Sequence, residues 1–536
     1  MKYSKIGVSL LSVAAAALLT ACGNQQSSSE KKQFSWSTGA ELSTIDMSKA
    51  SDTISYDQLR NTMEGLYRTG KSGKIMPGLA TSSTVSKDGK TYTYTLRKSR
   101  WSDGSEVTAK DFVYSWRRTV NPKTASEYAY LFEGIKNATA ITDGKKPLSS
   151  LGVKAVGKYK LVVTLDRRIP YFKNLMAFAL FFPQSEKAVK KYGSKYGTAS
   201  KYMLYNGPFV QKGWTGSNLS WKMVKNKDYW DKKNVKVDQI NWSVQKTPAT
   251  AYNLYQTSKL DAFSLDSSQT KQLAKKSGFQ LVNNGGTAYL QYNLQKDKNL
   301  ANAKIRQAIS MAIDRNGLCS TLGGNNKAAK TFTASGLMHV DGQEYTSGIS
   351  SASETYNQYN PKKAKKLFKE GLAELGKSSI TVSILADDTD NGKKTVEALQ
   401  SELEQNLGNI KVETLTVPFK TRMARREAGK FDIMLSTWIA DFNDAISFLD
   451  LMTSSNARNY GKWKSSEYDN LIAKSKVTAS ATERVKYLQE AEAILLKDEG
   501  ITPVYYMTTA YLIRPSIKNV YNDNLGGWQF KYAEVK

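Results

Sequence analysis

Pro77 to Trp116 reads PGLATSSTVSKDGKTYTYTLRKSRWSDGSEVTAKDFVYSW, and strand, turn and helix signals follow one another in it. Tyr92-Thr93-Tyr94-Thr95-Leu96 alternates as a half-buried strand does. Lys87-Asp88-Gly89-Lys90 just before it carries the Asp-Gly pair of a tight hairpin. Trp101-Ser102-Asp103-Gly104 is a second turn. Thr108 then stands where a helix cap belongs, with Asp111 in the first turn and Phe112, Val113 and Trp116 along one side. A period that switches from strand to helix within one short segment predicts an α/β chain.

The same alternation continues outward. Asn302 opens NAKIRQAISMAIDR, where Ile305, Ala308, Ile309, Ala312 and Ile313 share one helix face. Asn360-Pro361 starts another helix by the N-cap and first-turn proline rule. Thr381–Leu385, Lys411–Val417 and Phe431–Trp438 read as strands, and Ser480 to Glu483 reads as a capping box before Val485–Leu496. No internal repeat is present. At 536 residues the chain exceeds one ordinary core and implies two or three domains.

The amino terminus reads as an export signal. Lys2 and Lys5 precede the apolar run Ile6 to Leu19, and Leu19-Thr20-Ala21-Cys22 follows. That ending resembles the bacterial lipoprotein box, which implies cleavage after residue 21, acylation of Cys22 and a stable membrane anchor. Residues 22–33 are polar and read as a flexible tether. Cys319 is then the one remaining thiol and His339 the one histidine, too few for a disulfide or a conventional zinc site. The formal charge of +29 suits anionic lipid heads and wall polymers outside a cell, and no nucleic acid partner is expected. The 17 Phe, 30 Tyr and 10 Trp fit either satisfied core aromatics or an aromatic-lined ligand cleft.

Leu79–Arg118 (LATSSTVSKDGKTYTYTLRKSRWSDGSEVTAKDFVYSWRR) resembles the signature of the oligopeptide-permease-type peptide-binding lipoproteins of ABC importers, family 5 of the extracellular solute-binding proteins. Similar matches recur in order over the mature chain: NPKTASEY from Asn121, Asn206-Gly207-Pro208-Phe209, NKDYWDKKNV from Asn226, LYQTSKLD from Leu254, IRQAISMAIDR from Ile305, YNPKKAKKL from Tyr359, WIADFNDAISFL from Trp438, and Pro503-Val504-Tyr505-Tyr506. The resemblance implies a two-lobed periplasmic-binding-protein-like α/β fold with an extra inserted domain and a hinge-closing cleft. Mapped here, lobe I takes residues 34–63, 188–300 and 500–536, the insert 64–187, and lobe II 301–499. It further implies a monomer that captures peptides, needs no cofactor, and docks with the transmembrane and ATPase subunits of an importer.

The resemblance also assigns a site. Asp441, at the end of the apolar run Phe431, Ile433, Leu435, Trp438, receives the α-ammonium of the peptide. The strand before it pairs with the peptide main chain, with the backbone groups of Trp438 and Ala440 along the ligand and those around Ser51–Thr53 opposite. Tyr128 helps hold the amino end, Arg426 is a basic cleft residue, and Phe419 aligns with a cleft Trp. The chain departs from some relatives: Leu435 stands where a second arginine lies, a histidine position falls near Gly392, and Met507 replaces an aromatic. Without the resemblance, Asp441 reads as a strand-end cap for a helix from Asn443, while Arg426 also fits a solvated basic face and Tyr128 a core position.

Enzyme chemistry finds no footing. Ser268-Gln269-Thr270-Lys271 matches S-x-x-K with no S-D-N beside it, and H-E-x-x-H, G-x-S-x-G and P-loop patterns are absent from the sequence. The alternatives are the same fold binding a signalling peptide or other solute, and a basic-surface adhesin for anionic polymers.

Overall fold

The computed structural model describes residues 32–323, 325–340, 342–349 and 356–536. Cys22, the signal segment and most of the expected tether lie outside them. Gln33, expected in the tether, instead opens the strand Gln33–Thr38 and pairs with Gln239.

Among the described residues one mixed sheet of eleven strands runs through the molecule. In spatial order it contains Phe209–Lys212, Ser220–Lys225, Gln239–Val244, Gln33–Thr38, Ala262–Ser264, Ile501–Ile513, Phe279–Tyr292, Ile433–Ile439, Ile380–Asp387 and Ile410–Val417, with Lys327–Ala328 added to Ile501–Ile513. The two longest strands, Phe279–Tyr292 and Ile501–Ile513, lie antiparallel at its centre and serve a different core at each end. Ala510 and Leu512 pack with Ala251, Leu260 and Phe263. Ala288, Leu290 and Val504 pack with Ile305, Ile309, Ile384 and Val412. Their pairing is interrupted between Asn283 and Thr287. Gly285 sits there at φ +59°, where a Cβ would lie 2.3 Å from the Asn524 carbonyl; only glycine accepts both that dihedral and that approach.

The local signals reappear where the sequence placed them. The box at Thr108 and Asp111 forms, with the Thr108 N–H donating to the Asp111 carboxylate at 2.7 Å, ahead of the helix Ala109–Val120. Asn302 caps Ala303–Met311, and Asn360 caps Pro361–Glu374, whose Ala364, Phe368 and Leu372 share a core with Ile305 and Ile309. The box at Ser480 is only half made. Its hydroxyl accepts from the Glu483 N–H, but the Glu483 carboxylate accepts from the Thr478 hydroxyl at 2.8 Å, outside the box.

A separate four-stranded sheet orders Ala80–Val85, Thr91–Leu96, Lys160–Thr164 and Val153–Ala155. The helix Ala109–Val120 packs beside it, and the Trp116 indole donates to the Phe181 carbonyl at 2.9 Å. The chain leaving that helix turns at Asn121, passes Ala125 at φ +52°, and delivers Tyr128 to the cleft.

Candidate functional site

A cavity lined by both polar and apolar side chains lies in the cleft. All eight cleft residues expected from the sequence line it: Ser51, Thr53, Tyr128, Phe419, Arg426, Trp438, Ala440 and Asp441. Met507 lines it too, while Leu435 turns into the core beside Ile305 and Ile384, and Gly392 begins the helix Asp390–Leu407 away from the lining.

The wall is built on the strand Ile433–Ile439. One edge pairs along its length with Phe279–Tyr292; the other pairs with Ile380–Asp387 only at Ile433 and Met434. From Leu435 onward that second edge faces no strand among the described residues. The N–H of Ala440 donates to the Gly285 carbonyl at 3.1 Å. Because successive residues of a strand direct their main-chain groups to opposite sides, Trp438 also faces Phe279–Tyr292, and a Cβ on Gly286 would come within 2.8 Å of the Trp438 carbonyl. The expectation that the main-chain groups of Trp438 and Ala440 run along a ligand is therefore off by one residue. Thr437 and Ile439 present theirs to the open edge.

Asp441 caps no helix. Its N–H donates to the Ser447 hydroxyl at 2.8 Å, and the Trp438 indole donates to the Ser447 carbonyl at 2.9 Å. The loop is fixed from behind by Asp444, which accepts from the Ile446 N–H and holds Arg484 at 2.7 and 3.0 Å, both side chains buried. Phe442 stacks on Tyr171 with ring centroids 5.3 Å apart. So held, the Asp441 carboxylate accepts from the Tyr128 hydroxyl at 3.0 Å through Oδ1, while its buried Oδ2 has no protein partner. Burial pushes this carboxyl up to about 7, against the pull of Arg458, the Tyr128 hydrogen bond and Arg60.

Tyr128 is 3% exposed and packs edge-on against Tyr56 and Phe178, so it is core and cavity wall at once. Arg458, 4% exposed, lies 4.1 Å over the Tyr128 ring and 5.1 Å from that of Trp438. Glu127 ties this end together: it accepts from the Tyr460 hydroxyl at 2.9 Å and pairs with Arg458 at 3.3 Å and Arg426 at 3.4 Å. Burial pushes the Glu127 carboxyl up, but the two guanidiniums outweigh it and hold it below its ordinary value. Arg426 thus belongs to a half-buried cluster, stacked 4.4 Å over Tyr460, and not to a solvated face. On the opposite wall Asp52 caps the helix Thr53–Thr62 through the Ser55 N–H at 2.8 Å, with half-buried Ser51 and exposed Thr53 flanking it.

Arg458, Tyr56, Gln291, Ser436 and Thr437 line the cavity without having been singled out from the sequence. Arg458 sits in Asn456-Ala457-Arg458-Asn459-Tyr460, which has the composition of a surface loop and no period to mark it. No group of three or more metal-ligating side chains occurs among the described residues.

The model of the bacterial extracellular solute-binding proteins, family 5 (middle), matches residues 74–460. The chain belongs to that family. This family 5 binding protein is 36% identical to a dipeptide-binding protein of Lactococcus lactis subsp. cremoris over 557 aligned residues, covering 100% of both chains. Among solved structures it is similar to Listeria monocytogenes OppA bound to peptide, at a TM-score of 0.90 and 37% identity over 95% of this chain and 100% of that one. The pheromone receptor PrgZ gives a TM-score of 0.90 at 32% identity over 95% and 100% of the two chains. The two-lobed α/β architecture of the family, with its interlobe cleft, is the architecture of this chain, and its class is solute binding.

Proposed function

We propose that this protein captures peptides in the cleft, through their α-ammonium and main chain, and delivers them to the membrane and ATPase subunits of an ABC importer. The observation that carries the reading is the orphaned, buried Oδ2 of Asp441 at the end of an open strand edge. A carboxylate placed there is costly alone and repaid by a charge-assisted donor. Main-chain pairing along Thr437 and Ile439 supplies affinity without reading side chains. Relatives named for dipeptides and oligopeptides support the ligand class. On this reading Asp441, Trp438, Ala440, Tyr128, Arg426, Phe419, Ser51 and Thr53 contact ligand. The monomer is organised as lobe I (34–63, 188–300, 500–536), insert (64–187) and lobe II (301–499), and it catalyses no reaction. The likeness to a pheromone receptor supports a second reading of the same cleft, capture of a signalling peptide.

The test is calorimetric titration of one peptide in free-amine and N-acetylated forms across pH. With its carboxyl near 7, Asp441 must ionise to pair with the ammonium, while the peptide amine itself loses its proton above about 8. Affinity for the free-amine peptide then peaks between those values and falls about tenfold per unit on the acid side. The acetylated peptide follows no such profile, and equal pH dependence of the two forms rules the pairing out. The sign for stability is opposite. A raised folded pKa means that Asp441 contributes least to the ligand-free fold above pH 7, and its contribution is lost as pH rises through the window from about 4 to 7.

We also propose that the protein is a lipoprotein anchored to the outer face of the cell membrane through acylated Cys22, after removal of residues 1–21. Cys22→Ser should move it from the membrane fraction to the medium; retention on the membrane contradicts the anchor.

A further inference from the structure

We propose that Gln291 forms a side-chain subsite of the cleft that selects a peptide residue bearing a primary amide, asparagine or glutamine. This rests on the peptide-binding reading above and extends it to sequence preference.

Gln291 lies near the end of the long strand Phe279–Tyr292, opposite Met434 and two residues from Tyr289, and both Tyr289 and Gln291 line the cavity. It is 1% exposed, and neither its Oε1 nor its Nε2 is hydrogen-bonded to any protein atom. Buried amides in folded proteins are almost always paired, and one left unpaired costs stability. The backbone on its far side is packed tight. A Cβ on Gly461 would lie 2.1 Å from the Tyr292 carbonyl and 3.4 Å from the Gln291 Cγ, so the stem of Gln291 is clamped in the wall of the cavity it lines.

The surroundings narrow the occupant. The cavity is lined by Arg60, Arg68, Arg422, Arg426 and Arg458 against Asp52 and Asp441. Each arginine already has a carboxylate: Arg60 has Asp523, Arg68 has Glu64, Arg422 has Asp387, and Arg426 and Arg458 share Glu127. Asp52 is committed to its helix cap, and Asp441 lies beyond Ile439, which pairs with Gly286 and not with the end of the strand that carries Gln291. A lysine or arginine side chain at Gln291 therefore meets no carboxylate. An apolar side chain leaves the amide unmet, and a carboxylate can answer only its donor. A primary amide answers donor and acceptor together in a reciprocal pair. Because Gln291 is level with Met434, seven positions before Asp441, the residue it reads lies downstream of the peptide's first residue.

The test uses the mature protein and an alanine peptide of fixed length in which Gln, Glu, Lys or Leu replaces one position at a time, with affinities measured by calorimetry. At one downstream position Gln should bind about tenfold tighter than Leu, the value of two neutral hydrogen bonds. Gln291→Leu should abolish that ratio. Gln291→Glu should transfer the preference to Lys at the same position, a gain that a merely damaged fold cannot produce. Peptides that bind wild type with no position preferring Gln overturn the subsite and leave peptide capture intact. An equal loss for every peptide in Gln291→Leu assigns the amide to the ligand main chain and likewise overturns it. Failure of every peptide to bind wild type overturns the peptide reading and the subsite with it.

Discussion

Asp441→Asn should weaken free-amine peptides by about 10- to 150-fold, the equivalent of the roughly 1.5–3 kcal/mol net value of a hydrogen bond to a charged group. The acetylated forms of the same peptides should bind as before. The substitution is nearly isosteric, and the new amide oxygen can keep the Tyr128 hydroxyl that Oδ1 now accepts at 3.0 Å. The loop is held by Ser447 and by the Asp444–Arg484 pair, not by the Asp441 carboxylate, so the site should keep its shape. The acid limb of the binding profile should vanish in this variant because the group that titrates near 7 is gone. Removing a charge that burial disfavours should also raise the stability of the ligand-free protein at neutral pH. Equal losses for free and acetylated peptides would remove Asp441 from the role of ammonium acceptor.

Arg484→Met should cost about 3–5 kcal/mol of stability in chemical denaturation, the usual penalty for stripping one partner from a buried pair. Methionine retains much of the aliphatic stem, so the loss falls on Asp444, whose two oxygens lose donors at 2.7 and 3.0 Å. Asp444 sits three residues beyond Asp441 and orders the turn into the helix Ile446–Leu449 through the Ile446 N–H. Peptide affinity should therefore fall with stability, although Arg484 does not line the cavity. The double variant Asp444→Asn with Arg484→Met should recover most of the stability, since removing both charges leaves no uncompensated ion. A single variant within 1 kcal/mol of wild type would show that the loop has other supports.

How legible these features were in the sequence follows the range of the interaction that sets them. The caps at Thr108, Asn302 and Asn360 are contacts across two or three residues, and they formed where they were read. The Ser480 box failed by half because Thr478, also local, competes for the same carboxylate. Asp441 stood out because a charge next to Trp438, Ala440 and Phe442 is chemically conspicuous. Arg458 and Gln291 were silent for the opposite reason. Each is ordinary among its sequence neighbours and becomes unusual only when distant chain is laid over it: Tyr128 against Arg458, and Gly461 against Gln291.

By itself the amino-acid sequence determined the α/β class, the likeness to family 5, the helix starts and the eight residues that meet in one cavity. Those follow from local periodicity, from cap chemistry and from motifs kept in order along the chain. Tertiary structure alone decided which edge of Ile433–Ile439 is open. That choice moves the free main-chain groups from Trp438 and Ala440 to Thr437 and Ile439. Side-chain alternation can be read along a strand, but the edge left free depends on which neighbour pairs with it. Here that neighbour is Phe279–Tyr292, well over a hundred residues away in the chain. The same long-range packing leaves one oxygen of Asp441 and both ends of Gln291 without protein partners.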